Sequence, residues 1–194
     1  MAPEKEIAKY KGRYAKGWDA LRKERHARQI ERGIVNPDWG ITPRDARVPA
    51  WELASFHEWE QRGMEVYAAQ IDCLDQNVGK ILAELRRLGQ LENTVVCFMA
   101  DNGGNFEEMS RIAPDRPRPA FMPYKTKDGL EVVPGNDPSL IPGPATTYAS
   151  YGIPWGNVSN TPFRLYKHYA HEGGISTPFI VHGPQGSHSS GITH

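Results

Sequence analysis

The tightest constraint on this chain is a change of periodicity at Gly89. Before it, Met64, Tyr67, Ile71, Leu74, Val78, Ile81, Leu85 and Leu88 recur at intervals of three and four residues, the spacing of one face of an amphipathic helix. Ser55 and Glu58 have the spacing of a capping box at its start, and Gly89 stands where a left-handed C-cap belongs. A short turn through Gln90 to Asn93 then leads into the uninterrupted apolar run from Val95 to Ala100. That run reads as a strand buried on both faces, as parallel strands within α/β sheets are. A long amphipathic helix, a short turn and a buried strand form half of a βαβ unit, which places the chain in the α/β class.

The run ends abruptly in Asp101-Asn102-Gly103-Gly104. In open α/β sheets ligands sit beyond the carboxyl ends of the strands, where Asp101 and Asn102 emerge. Both side chains offer the oxygen ligands that calcium and magnesium require. Asn-Gly is equally a strong hairpin signal, although Asn105 to Arg111 lacks the alternation of a returning strand. On pattern alone a metal-binding strand end and a plain turn both remain open. On the helix, Asp75 falls beside the apolar stripe and Asp72 away from it, so Asp75 is expected to be the carboxylate needing a hydrogen-bond partner.

Elsewhere the patterns are less regular. Residues 4 to 32 read as helical, with Gly12 and Gly17 as breaks, and hold ten Lys or Arg against five acids. Basic residues interleaved with Tyr10, Tyr14 and Trp18 raise a nucleic-acid contact, but a solvated helix face with its aromatics on the core is the commoner arrangement. The whole chain, with 23 basic and 23 acidic residues, has no net field to draw nucleic acid or an anionic membrane. Residues 33 to 51, with Pro37, Pro43 and Pro49, read as an extended loop. Residues 105 to 160 read as a long irregular insertion, a length that is usually functional or disordered, and Tyr148, Tyr151 and Trp155 favour a packed one. Within it Asn157-Val158-Ser159 formally matches a glycosylation acceptor. A second short apolar run, Thr177 to His182, has a proline near its start, as an early strand residue allows. Just before it, Lys167 and His168 precede Glu172-Gly173-Gly174; a cation there can face an anionic substrate or simply cover a turn. The tail from Ser187 to His194 is polar, and its serines and histidines have no triad spacing.

Cys73 and Cys97 form neither a disulfide framework nor a metal spacing. No apolar stretch approaches the roughly twenty residues of a membrane span. Met1 to Lys5 is not a signal peptide, which leaves the compartment unassigned.

Two segments read together carry a resemblance. Phe98-Met99-Ala100-Asp101-Asn102-Gly103-Gly104, and Pro162-Phe163-Arg164-Leu165-Tyr166-Lys167 followed by Glu172-Gly173-Gly174-Ile175-Ser176-Thr177-Pro178-Phe179-Ile180-Val181, resemble the arylsulfatase-type sulfatases of the alkaline phosphatase superfamily. Tyr67 to Asp72 and Asp75 to Gly79 resemble the helix that precedes the metal-binding strand in that family. The resemblance implies a mostly parallel sheet flanked by helices, with residues 1 to 194 forming part of a sulfatase catalytic domain. It implies that Asp101 and Asn102 coordinate a divalent cation, calcium in preference to magnesium. It implies that Lys167 acts on the sulfate ester near the leaving group and that His168 lines the substrate pocket. The partner so implied is a small-molecule or glycan sulfate ester.

Sulfatases of this type use a formylglycine made from the Cys or Ser of a Cys/Ser-x-Pro-x-Arg motif, and this sequence contains none. Asn160-Thr161-Pro162-Phe163-Arg164 has the Pro and Arg spacing, but asparagine cannot be converted to formylglycine. The paired aspartates, first active-site lysine and histidines of the family's amino-terminal half are absent as well. The expectation is an internal piece of a sulfatase, from a truncated gene or a partial chain, inactive by itself. Two other readings stand beside it: a phosphoesterase or phosphonate hydrolase of the same superfamily, and a non-catalytic remnant that binds anionic partners.

Overall fold

The computed structural model describes residues 1–110, 112, 116–184 and 191–192. Of the tail, Ser187 to Ser190 and His194 lie outside the described residues. The elements are α1 (Glu4–Ile7), α2 (Gly17–Glu31), α3 (His57–Arg87), β1 (Val96–Met99), β2 (Val133–Pro134), β3 (Thr147–Tyr148), α4 (Gly152–Ser159), α5 (Glu172–Ile175) and β4 (Phe179–His182).

Helix α3 is the spine. Its carboxyl end closes as the sequence suggests: Gly89 has φ +66°, its N–H bonds Arg86 O at 3.0 Å, and Gln90 N–H bonds Leu85 O at 2.9 Å. These are the paired bonds of a Schellman motif, which satisfy carbonyls the helix leaves orphaned. The amino end differs from expectation. The chain enters through Phe56 in a left-handed conformation (φ +57°) with no side-chain cap, so Ser55 and Glu58 form no capping box.

The first half of α3 is covered on two sides. Val66 and Ala69 pack on Ile7, while Met64 joins a cluster built on Trp18, Val48, Trp155 and Val158. Trp18, Trp51 and Trp155 meet edge to face or tilted, with centroids 4.6–6.2 Å apart, a geometry that adds to burial through the ring quadrupoles. The aromatics of the basic amino-terminal region therefore face inward. Gly12 and Gly17 are both left-handed and break that region as expected.

The carboxylates of α3 reverse the expected roles. Asp72 accepts from Lys9 at 3.0 Å and from Tyr10 at 3.2 Å, whereas Asp75 is exposed. The amino-terminal turn docks on the face of α3 that carries Val66, Ala69 and Asp72, away from the apolar stripe, so the acid on that face acquires partners.

The architecture is mixed α/β, in line with the class read from the sequence. Strand direction and burial differ from the expected mostly parallel sheet. β1 pairs with β4 antiparallel, in the register Val96 to His182 and Met99 to Phe179, and β2 pairs with β3 parallel over two residues. Each of these sheets has two strands. With one neighbour apiece, β1 and β4 leave Phe98 and Phe179 at 40% and 60% exposure. The irregular region closes with α4, which holds Trp155 and Val158 in the core and buries Asn157 to 3% exposure, unfavourable for a glycan acceptor. Among the described residues no helix is long and apolar enough to cross a membrane.

Candidate functional site

The carboxyl end of β1 meets the turn between α4 and α5. Asp101 is exposed just beyond the strand, and Asn102 is half-buried. The Asn102 amide nitrogen donates to Gly103 O at 2.7 Å, which leaves Oδ1 as that side chain's acceptor. Gly103 is buried, and its N–H bonds Gly174 O at 2.9 Å. A Cβ on Gly103 would run into the backbone of Gly173, and one on Gly174 into the carbonyls of Tyr166 and Tyr169. Glycine is required here for close approach.

A second bond joins the segments. Lys167 N–H donates to Gly104 O at 3.2 Å. The structure thus brings Asp101 and Asn102 beside Lys167 and His168, more than sixty residues later in the chain. Lys167 is half-buried and its Nζ lies 3.9 Å from Glu107 Oε2; His168 Nε2 lies 3.6 Å from Glu107 Oε1. Leu165 and His168 both adopt left-handed backbone, at φ +65° and +77°. Non-glycine residues hold such conformations where the surroundings over-determine them, often at functional sites.

The surroundings are specific. Tyr166 is fully buried, and its hydroxyl donates to Asp45 Oδ2 at 3.0 Å. Asp45 also accepts from Arg47 Nε at 3.0 Å and Nη2 at 2.7 Å. The Arg47 guanidinium lies 5.3 Å from the Phe106 ring centroid and 5.7 Å from that of Tyr166, and the two rings stack at 5.1 Å. Hydrogen bonds from Arg47 hold the Asp45 carboxyl down at about 2, against the opposing effect of burial. Burial, then the Asp45 bond, pushes the Tyr166 phenol up.

Fit to a cation can be judged from the donors. Asp101 and Asn102 supply hard oxygens of the kind calcium takes, but calcium needs six to eight. Among the described residues no group of three or more His, Cys, Asp or Glu is placed to hold a metal ion. The donor type fits, and the number supplied is a partial set.

Sequence reasoning placed Asp101, Asn102, Lys167 and His168 on two separate segments, and the fold unites them. It missed Asp45, Arg47 and Glu107. Asp45 and Arg47 lie in a stretch read only as a proline-rich loop, and their signal, two opposite charges two residues apart, is common on surfaces.

The Sulfatase family model matches residues 2–194. An uncharacterized sulfatase of Schizosaccharomyces pombe is 35% identical over 187 residues, covering 95% of this chain and 32% of that protein. An arylsulfatase of Klebsiella aerogenes is 30% identical over 187 residues, covering 95% of this chain and 37% of that protein. The chain spans about a third of the length of these relatives.

Proposed function

Because the chain belongs to the sulfatase family, we propose that it carries part of the site of a sulfuric ester hydrolase, with Asp101 and Asn102 as cation ligands and Lys167 and His168 facing the sulfate ester. The observation that carries this reading is the pair of backbone bonds, Gly103 to Gly174 and Lys167 to Gly104, which fixes the two segments side by side. A sulfate ester develops negative charge on its bridging oxygen as the sulfur–oxygen bond breaks. A fixed ammonium at Lys167 stabilises that charge as a preorganised point contact. Asp101 and Asn102 would hold a divalent cation, calcium in preference to magnesium, which would supply Lewis-acid polarisation of the ester. His168 lines the pocket beside Lys167, and the Glu107 carboxylate, 3.9 Å from the Lys167 ammonium, is the partner an incoming anion displaces.

The nucleophile, a formylglycine, lies outside this sequence, which contains no Cys/Ser-x-Pro-x-Arg motif. The chain alone is therefore catalytically inactive on this reading. The test is a sulfate titration of the purified chain in calcium buffer, followed by NMR at the Lys167 and His168 amides. Saturable shifts that vanish in Lys167→Ala support the site; identical shifts in Lys167→Ala reject it. Turnover of an aryl sulfate by the chain alone, lost in Asp101→Ala, would refute its inactivity.

A further inference from the structure

The Asn160 to Arg164 stretch imitates the spacing of a formylglycine motif without its nucleophile, and the site as described gives Asn160 no role. Its side chain has a different use. Asn160 is buried, and its carboxamide is bonded in three directions. Oδ1 accepts from Gly104 N–H at 2.8 Å. Nδ2 donates to Leu165 O at 2.7 Å and to Gly173 O at 2.8 Å. These partners come from the three segments that build the candidate site: the end of β1, the turn that carries Lys167, and α5 with its double glycine. The Asn160 backbone continues the hub, accepting Phe163 N–H and donating to Gly156 O.

We propose that Asn160 is the positioning residue of the site, its carboxamide setting where Lys167 stands relative to Asp101 and Asn102. No other side chain of similar size replaces it. Aspartate keeps the shape but offers no donor, so the Leu165 and Gly173 carbonyls would each face a carboxylate oxygen. Serine is too short to span three segments and has one proton. Buried backbone groups left without partners cost more than the bond itself contributes, so loss of the carboxamide releases the turn. The left-handed backbone at Leu165 and His168 flanks Lys167, so a released turn relaxes there first.

The proposal deepens the sulfate-site reading, yet its decisive readout involves no ligand. In the parent chain, native-state hydrogen exchange should show the Gly103, Gly104 and Lys167 amides opening together, with one free energy and one denaturant dependence. Separate opening energies for Gly103 and Lys167 would overturn the proposal, and this measurement needs no variant to fold. In Asn160→Asp and in the neutral Asn160→Ser, exchange at Gly103 and Lys167 should rise at least tenfold, although neither amide bonds Asn160 directly, while amides of α3 near Ala69 stay protected. Faster exchange at Gly104 alone would show a merely local bond, and uniform loss of protection through α3 would show a general packing role; either result rejects the proposal. Sulfate titration of Asn160→Ser separates the two claims. About tenfold weaker binding than the parent supports positioning, and unchanged affinity contradicts it. A parent chain with no sulfate response counts against the sulfate reading alone, because the exchange result still decides the role of Asn160.

Discussion

Around Trp155 the apolar side chains are enclosed on every side, whereas along β1 and β4 they face solvent. The indole of Trp155 is fully buried among Trp18, Val48 and Val158, with Tyr14 and Trp51 completing the wall. Its N–H donates to the Glu60 carbonyl at 2.9 Å. The β1–β4 ribbon is as apolar in sequence, yet Met99, Phe179, Ile180 and Val181 are all more than half exposed. The accessible surface of 12653 Å² exceeds the roughly 9,200 Å² expected of a self-contained protein of this mass. An apolar run licenses burial, and only neighbouring elements deliver it. The enclosed region also carries the polar ties of the site through Asp45, Asn160 and Tyr166, so precision at the site comes from the packed region and not from the strand that bears Asp101.

The contrast can be broken most severely by truncation. Trp155→Ala should cost about 3–5 kcal/mol, enough to unfold the chain or nearly so, measured by urea denaturation. Phe98→Ala on the ribbon, opposite Ile180, should cost under about 1 kcal/mol. Equal costs would erase the distinction.

A smaller effect is expected at Asp45. Its folded carboxyl is held at about 2, below the unfolded value near 3.9, so its stabilisation is complete above about pH 4 and fades as pH falls toward 2. Partial exposure of Arg47 reduces the effect to the order of 1–2 kcal/mol. Asp45→Asn should lose that amount at pH 7 and flatten the acid limb of the stability curve; a parallel curve would contradict the pairing.

Glu60 works in the opposite sense. Burial, with the nearby charge of Glu108, raises its carboxyl to about 7. The folded chain then binds more protons than the unfolded one between about pH 4.5 and 7, and stability declines as pH rises through that window. Glu60→Gln should raise the melting temperature at pH 8 by a few degrees and leave it unchanged at pH 4. The smallest change belongs to the ribbon surface: Phe98→Lys with Ile180→Glu, an opposite-charge pair directly across the strands, should reduce binding of an apolar dye and leave the unfolding free energy within about 0.5 kcal/mol.

Much of this was legible in the residues. Periodicity marked α3 and its Gly89 terminus, and short apolar runs marked β1 and β4, because those signals are local. Helix α4 was hidden by Gly152, Pro154 and Gly156, which read as loop residues although the helix is secured by tertiary burial of Trp155 and Val158. The capping box failed because Phe56 turns left-handed at the entrance to α3. Both site segments were visible and the resemblance joined them, but the bonds that hold them together were not legible, because they are backbone bonds at Gly103 and Gly104 and side-chain bonds to distant carbonyls. Asn160 read as a decoy for the same reason: its function lies in Gly104, Leu165 and Gly173, none of which shares its motif.

The central claim, that the end of β1 and the Lys167 turn form one cation and anion site, is tested most directly with a paramagnetic cation. Manganese titrated into the labelled chain should first broaden the amide resonances of Gly103, Gly104, Lys167 and Gly174, and the broadening should disappear in Asp101→Ala. Broadening confined to other acidic surfaces, such as the Glu84 region of α3, with Lys167 untouched, would contradict the account.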